Sequence, residues 1–240
     1  MTPLHQPLWA EAMQEHWEEL RGRLIWSTLA LVLGVGVSWF FGVTSVVAWL
    51  KAIMPGTVLF VQLAPGEGFM VCVKVALWLG VVLSSPVWVY HTLRFVMPGL
   101  TVHERRWAGV LVVLGLLLFA VGVGFGYGVV LGPALGFLVE MGQSVAALQL
   151  SIGTYVDFCL AVLVMMGICF ELPIGMVVLG LVGVVRSNMV LAQWRMVVLG
   201  CALMAAFITP SQDPITMLLV MGALLVLLLL GGGVLRLLGR

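Results

Sequence analysis

The segment Met97-Pro-Gly-Leu-Thr-Val-His-Glu-Arg-Arg-Trp107 is a polar island between two long apolar runs. It places one carboxylate, Glu104, directly before two guanidinium groups, Arg105 and Arg106, and His103 stands just ahead of the acid. Adjacent arginines at the edge of a membrane span are typical of residues that set topology. The acid is not needed for topology, so it indicates either a salt bridge with the neighbouring arginines or a polar binding site.

Composition places the chain in a membrane. Hydrophobic residues make up 62% of the 240 residues, the mean hydropathy is +1.21 and only 9% of the residues are charged. Soluble domains carry roughly 25% charged residues, so this chain lacks the polar surface to face water on all sides. We predict a polytopic, all-α membrane protein with one domain over residues 1–240, in contact with lipid. The net charge of +1 indicates no particular partner, and we expect no nucleic acid.

Six apolar runs reach or approach the length of a membrane-spanning helix. They predict spans at about 24–41, 69–91, 107–131, 154–185, 196–208 and 215–235. As a helix the fifth run covers only about 20 Å, short of a hydrocarbon core of about 30 Å. Pro86 and the sequence Glu171-Leu172-Pro173 predict kinks in the second and fourth spans. Residues 1–23 predict an amphipathic helix in the membrane interface, ahead of the first span.

Small side chains inside the spans indicate packing rather than chemistry. Gly124, Gly128, Gly132 and Gly136 lie four residues apart, a spacing that allows another helix to approach closely. The four cysteines fall in apolar runs without a CxxC pair or a histidine at ligand spacing, which favours buried thiols over a disulfide or a metal site. The sequence has no HExxH or GxSxG motif, so we expect no catalytic residues, no cofactor and no metal.

The basic residues predict the orientation of the spans. With six spans, nine of the eleven arginines and lysines fall on one side, which leaves Lys51 on the other side and Lys74 inside the second span. Positive residues favour the cytoplasmic side. Both termini are therefore predicted to be cytoplasmic, or stromal in a plastid.

Six short motifs, in order along the chain, resemble those of the TatC family, the receptor subunit of the twin-arginine protein translocase. They are His16…Glu19-Leu20-Arg21…Arg23, Pro65-Gly66-Glu67-Gly68-Phe69…Lys74, Ser85-Pro86…Tyr90, Phe95…Pro98-Gly99-Leu100…His103-Glu104-Arg105-Arg106, Phe170-Glu171-Leu172-Pro173 and Thr209-Pro210…Asp213. The match covers essentially the whole chain, and its tail is similar to the cyanobacterial and plastid branch. Many members carry an acid in the last span, whereas residues 224–230 are wholly aliphatic here, so no role for that acid is carried over.

The resemblance implies a receptor for twin-arginine signal peptides. It implies that the chain is also the assembly core of a Sec-independent translocase, which moves folded proteins across an energised plasma or thylakoid membrane. The implied partners are those signal peptides and small single-span subunits of the TatA or TatB type, with which the chain would be oligomeric. The signal-binding residues carried over are Glu19, Glu104, Arg21, Arg105 and His103. A carboxylate matches the fork of a guanidinium group; the alternative is that both acids merely pair with arginines of this chain.

Two further sets of residues are carried over from the family. Glu171, Pro173 and Met204 are assigned to contact with partner subunits, because an ionisable group inside a span commonly faces a cavity or a neighbour. A structural carboxyl, hydrogen-bonded to the backbone that the proline frees, is the alternative for Glu171. Glu67, Lys74 and Asp213 are expected on the periplasmic side, as structural caps or interfacial anchors.

A secondary transporter with a buried carboxylate at Glu171 is the alternative function. It predicts inverted repeats with paired broken helices, and the two halves of this sequence show no convincing match. Capture of a twin-arginine signal peptide without any small substrate would separate the two functions.

Overall fold

The computed structural model describes residues 8–54, 58–96, 102–143, 149–181, 183, 192–209 and 213–237. Eleven elements are assigned in chain order. They are α1 (Leu8–Phe41), α2 (Val43–Lys51), β1 (Leu59–Val61), α3 (Glu67–Val96), α4 (Val102–Phe125), α5 (Leu131–Gln143), β2 (Gln149–Ser151), α6 (Ile152–Phe170), α7 (Leu172–Leu181), α8 (Trp194–Ile208) and α9 (Pro214–Leu237). A π-helical turn, Gly126–Val130, joins α4 to α5.

The described helices confirm the predicted fold class. Five stretches are long and apolar enough to cross a membrane, and α8 is a shorter apolar helix at the position of the predicted fifth span. The long stretches are Leu20–Phe41, Glu67–His91, Gly109–Gly142, Ile152–Gly180 and Pro214–Leu237.

Several helices are longer than the apolar runs that predicted them. Helix α1 is continuous from Leu8 to Phe41, so the predicted interfacial segment and the first span are one helix. Likewise α4, the π-helical turn and α5 are continuous from Val102 to Gln143, through the predicted connection after residue 131. Hydrophobicity marks the part of a helix that suits lipid, whereas hydrogen bonding continues wherever neither proline nor packing interrupts it.

The two predicted kink sites behave differently. At the fourth span the helix breaks, because α6 ends at Phe170, Glu171 is its C-cap and α7 begins at Leu172. Helix α3 instead continues through Pro86 without a break. Proline removes the N–H that would bond the carbonyl four residues earlier, and the Ser85 hydroxyl donates to that carbonyl, Val82 O, at 2.7 Å.

Two short strands were not predicted. β1 and β2 pair in parallel, with Leu59 opposite Gln149 and Val61 opposite Ser151. Each strand directly precedes a spanning helix, β1 before α3 and β2 before α6. The pair therefore joins the N-terminal ends of these two helices.

By internal packing the chain divides into two compact units. The first unit comprises Met1–Val43 and Ala76–Val112, and the second comprises Thr44–Val75 and Val113–Arg240. In the first unit α1 crosses α3 at two glycines, because a Cβ placed on Gly34 would lie 2.8 Å from Gly80 O.

The second unit contains the hydrophobic core. Helix α9 packs against α7 and α8, and Leu50, Leu131, Met166, Leu224 and Leu235 are fully buried. The predicted packing role of the glycine series Gly124–Gly136 is wrong within this chain, because a Cβ on any of its four members would meet nothing within 4 Å. The close approach occurs instead at Gly122, where a Cβ would lie 2.6 Å from Met166 O on α6. The π-helical turn shifts which face of the helix meets α6.

Candidate functional site

The acids assigned to signal binding both lie on helices of the first unit. Glu19 is in α1, and Glu104 is in the first turns of α4 rather than on a loop, as we had expected. The side chains of Glu19, His103, Glu104 and Arg105 lie outside the described part of the structure. A helix holds its backbone more rigidly than a loop does, so both acids have fixed main-chain positions.

One face of α1 forms an open groove of about 790 Å³. Its lining runs from Trp17 to Val32 and is almost wholly apolar, with Glu18 and Arg21 at the N-terminal end. The carried-over residue Arg21 is exposed there, and so is Glu18, which the sequence analysis did not select. A charged end followed by an apolar groove matches a peptide whose basic segment precedes an apolar one, the order found in signal peptides.

Arg23 binds within the first unit. Its guanidinium Nη1 donates to the carbonyl of His91 at 3.1 Å, from α1 to the C-terminal half of α3. This contact anchors the start of the apolar stretch of α1 to the second of the long helices.

Glu171 lies at the break between α6 and α7, against the backbone of α4. A Cβ on Gly115 would lie 3.1 Å from Glu171 Oε2 and 3.3 Å from Oε1, so only glycine leaves this room for the carboxylate. The side chain is partly exposed, and the described residues supply no hydrogen bond to it. Those contacts leave the carboxylate able to accept a hydrogen bond from outside the chain.

The other two residues assigned to partner contact differ from each other in exposure. Met204 on α8 is 40% exposed. Pro173 is buried beneath the last helix of the chain itself, because a Cβ on Gly231 would lie 3.1 Å from Pro173 Cα. The close approach of α9 leaves Glu171 and Met204 as the accessible members of that set.

Glu67 ties together the two strand–helix junctions. Its Oε2 accepts from Leu63 N at 2.5 Å, and its Oε1 accepts from Gly153 N at 2.7 Å and from the Ser151 hydroxyl. The first N–H groups of a helix have no partner inside the helix, and Gly153 is in the first turn of α6. Glu67 thereby joins β1 and α3 to β2 and α6.

Asp213 caps the last helix. Its Oδ2 accepts from Thr216 N at 2.7 Å, and the Thr216 hydroxyl donates to Oδ1. Aspartate at the N-cap followed by proline at the first helical position is a favoured start for a helix, and Pro214 follows here. Both side chains are buried, Asp213 with 1% exposure.

Lys74 forms an ion pair that the sequence analysis missed. Its Nζ lies 2.8 Å from Asp157 Oδ1 and 2.6 Å from Oδ2, joining α3 to α6. The side chains are 45% and 49% exposed. A charged residue inside a predicted span is the signal that would have singled out Asp157, as it did Lys74.

Two tyrosine hydroxyls satisfy the end of α2. Tyr127, in the π-helical turn, donates to Trp49 O at 3.2 Å, and Tyr155 on α6 donates to Leu50 O at 2.6 Å. The Trp49 and Tyr127 rings stack, with centroids 3.4 Å apart and an angle of 5° between the planes. The last carbonyls of a helix lack partners within it, so these contacts fix α2 to the second unit.

The described residues contain no group of three histidine, cysteine, aspartate or glutamate side chains that could hold a metal ion. The four cysteines are free thiols, and three of them are buried.

Comparison with known proteins identifies the family. The profile described as Sec-independent protein translocase protein (TatC) matches residues 15–222. The chain belongs to the TatC family. A TatC from Synechocystis sp. is 43% identical over 226 residues, which cover 94% of this chain and 88% of that protein. A chloroplastic TATC from Arabidopsis thaliana is 39% identical over 226 residues, covering 94% of this chain and 66% of the plant protein.

Solved structures agree with this assignment. A crystal structure of the twin-arginine translocase receptor TatC matches 94% of this chain and 100% of its own, with a TM-score of 0.75 at 33% identity. This TatC-family chain is therefore an integral membrane protein with the six-helix fold, in a plasma or thylakoid membrane. Its family is a component of a protein translocase, which favours protein transport over the alternative of a secondary transporter.

Proposed function

We propose that this TatC-family chain is the receptor for twin-arginine signal peptides in a Sec-independent translocase. Glu19 and Glu104 are assigned to the two arginines of the signal, with Arg21, His103 and Arg105 in the same site. Two acids match two guanidinium groups in charge and in hydrogen-bond geometry. The groove on α1 supports the assignment, because its apolar length begins beside Glu18 and Arg21.

The same proposal includes assembly with small single-span subunits. Glu171 and Met204 are the contact residues that their exposure supports. Residues of the other end, Glu67 and Asp213, are assigned structural roles on the strength of their hydrogen bonds to helix starts. The one-sided basic residues support cytoplasmic termini.

The deciding measurement is the affinity of a twin-arginine peptide for the full chain in nanodiscs. A charged hydrogen bond contributes about 1.5–3 kcal/mol, so Glu104→Gln should weaken binding roughly tenfold to a hundredfold. Glu104→Asp keeps the charge but shortens the reach, and should weaken binding less. A twin-lysine peptide should bind the unmodified chain poorly, because lysine lacks the guanidinium fork.

The matched control is Glu140→Gln, which neutralises an exposed acid on α5 and should leave affinity unchanged. Raising the salt concentration should weaken the unmodified chain but barely change the double variant Glu19→Gln, Glu104→Gln, because exposed charges are screened by salt. If the double variant binds the arginine peptide as tightly as the unmodified chain does, the receptor site lies elsewhere.

A further inference from the structure

The Lys74–Asp157 ion pair occupies an unusual place for two charges. Lys74 is seven residues into α3, and Asp157 is five residues after the start of α6, so the pair lies about 10 Å along Glu67–His91. Charged side chains within membrane spans are costly and commonly face a bundle interior, a cavity or a partner. These two face outward from the second unit, each close to half exposed.

The surface around the pair is a narrow line on α6. Its members recur every three or four residues, as expected for one helix face, while the residues between them are mostly buried. The exposed members are Thr154, Asp157, Ala161, Met165 and Ile168. The line is therefore polar at the end near β2 and apolar over the rest of its length, with the small side chain of Ala161 beside the ion pair.

The pair keeps unused hydrogen-bonding capacity. An ammonium group has three donors and a carboxylate accepts about four hydrogen bonds, whereas the contacts between Nζ and the two carboxylate oxygens use only two of each. The described residues make no other hydrogen bond to either group. One donor and two acceptor positions therefore remain at the exposed side, on a group with no net charge.

This combination selects the chemistry of an occupant. A lipid phosphate would gain the lysine proton but would also meet the aspartate carboxylate, whose charge repels it. A third full charge would leave a net charge among the spans, at the cost that membrane burial imposes. An uncharged amide both donates and accepts, so it can use the lysine donor and an aspartate acceptor together.

We propose that the Lys74–Asp157 pair is a docking site for a partner's single membrane-spanning helix that carries one uncharged amide side chain. The helix lies along the α6 line and places its amide about two turns from its end, at the level of the ion pair. That the natural occupant is a single-span subunit of a translocase rests on the proposed function; the preference for an amide rests on the ion pair alone.

The test uses synthetic helices and the full chain in phosphatidylcholine vesicles. Each peptide has about 20 leucine and alanine residues, enough to span the bilayer. The position seven residues from one end is Gln, Leu or Lys. Energy transfer between a donor on the peptide and an acceptor on the carboxyl terminus of the chain reports association. The Gln peptide should bind about threefold to tenfold more tightly than the Leu peptide, the range of polar contacts between membrane helices.

Paired substitutions separate the docking role from a structural one. In Lys74→Met, Asp157→Leu both charges are removed together, which leaves no unpaired charge and commonly preserves stability. This variant should melt no lower than the unmodified chain and should lose the preference for Gln. The exchanged pair Lys74→Asp, Asp157→Lys keeps the ion pair and should keep the preference. Lys51→Met removes another lysine of the second unit and should leave the preference unchanged.

Several results would overturn the proposal. It fails if the unmodified chain binds the Gln and Leu peptides equally, or if the apolar double variant retains the preference. Binding that follows added phosphatidylglycerol but not Gln would assign the pair to a lipid headgroup. Loss of self-association in the double variant, without a Gln preference, would assign it to a second copy of the chain. Affinity for the twin-arginine peptide, measured on the same samples, tests the proposed function separately and should not change in any of these variants.

Discussion

The two compact units differ most in how much of their apolar surface they bury. In the first unit only 6% of the apolar stretch Leu20–Phe41 is buried, whereas 44% of Ile152–Gly180 is buried in the second. The largest fully buried side chains among the described residues, including Leu50, Met166 and Leu224, all belong to the second unit. The second unit therefore has a core of its own, and the first leaves its helices to be covered by lipid or by ligands.

This difference matches the division of proposed roles. The residues assigned to signal binding lie in the first unit, where α1 exposes an apolar groove. The polar contacts of Glu67, Asp213 and the two tyrosines lie in the second unit and fix helix ends. A surface that binds an apolar segment has to stay uncovered until the segment arrives, whereas a scaffold is stable only when its own surfaces are packed.

Substitution of the buried cap in the second unit should have the largest effect on stability. Asp213→Ala removes the N-cap of α9 and leaves the buried hydroxyl of Thr216 without its acceptor, which should cost about 2–3 kcal/mol. Unfolding in mixed detergent micelles measures the loss. Asp213→Asn can still cap the helix and should cost less. Equal stability of the alanine variant and the unmodified chain would mean that the cap does not support the core.

A methyl group at the crossing of α4 and α6 should have the next largest effect. Gly122→Ala places a Cβ 2.6 Å from Met166 O, and a backbone atom cannot move aside cheaply. Overpacking of this kind should destabilise the second unit by about 1–2 kcal/mol. The control Gly124→Ala lies two residues away with nothing within 4 Å, and should be neutral or stabilising by up to about 1 kcal/mol. The same loss for both would show that helix propensity, not the crossing, governs stability here.

The corresponding change in the first unit should be the smallest in overall stability. Gly80→Ala places a Cβ 2.8 Å from Val35 Cα, which should loosen the contact between α1 and α3. Because the core lies in the other unit, the free energy of unfolding should change by only about 0.5 kcal/mol. Hydrogen exchange in α1 should nevertheless be faster, since local opening follows local packing. Gly36→Ala, with open space around it, should leave exchange unchanged. A large global loss from Gly80→Ala would contradict the contrast between the units.

The sequence by itself determined the class of the protein, its helices and its family. Apolar runs located all six spans, because the length of a helix that crosses a bilayer is set by the bilayer and the rise per residue. The break at Glu171 followed from Pro173, and the start of α9 at Pro214 from the preceding aspartate, since both are local effects of the backbone. The six motifs led to the TatC family without any contact being known.

Only the tertiary structure decided which residues meet. The glycines at regular spacing, Gly124–Gly136, face open space, and the close crossing falls on Gly122, because the π-helical turn changes the face presented to α6. Asp157 became the partner of Lys74 across 83 residues of chain, and Glu67 joined two strands that no pattern in the sequence had indicated. Helix propensity and hydrophobicity act over a few residues, whereas these contacts depend on the path of the chain between distant segments, which local patterns do not encode.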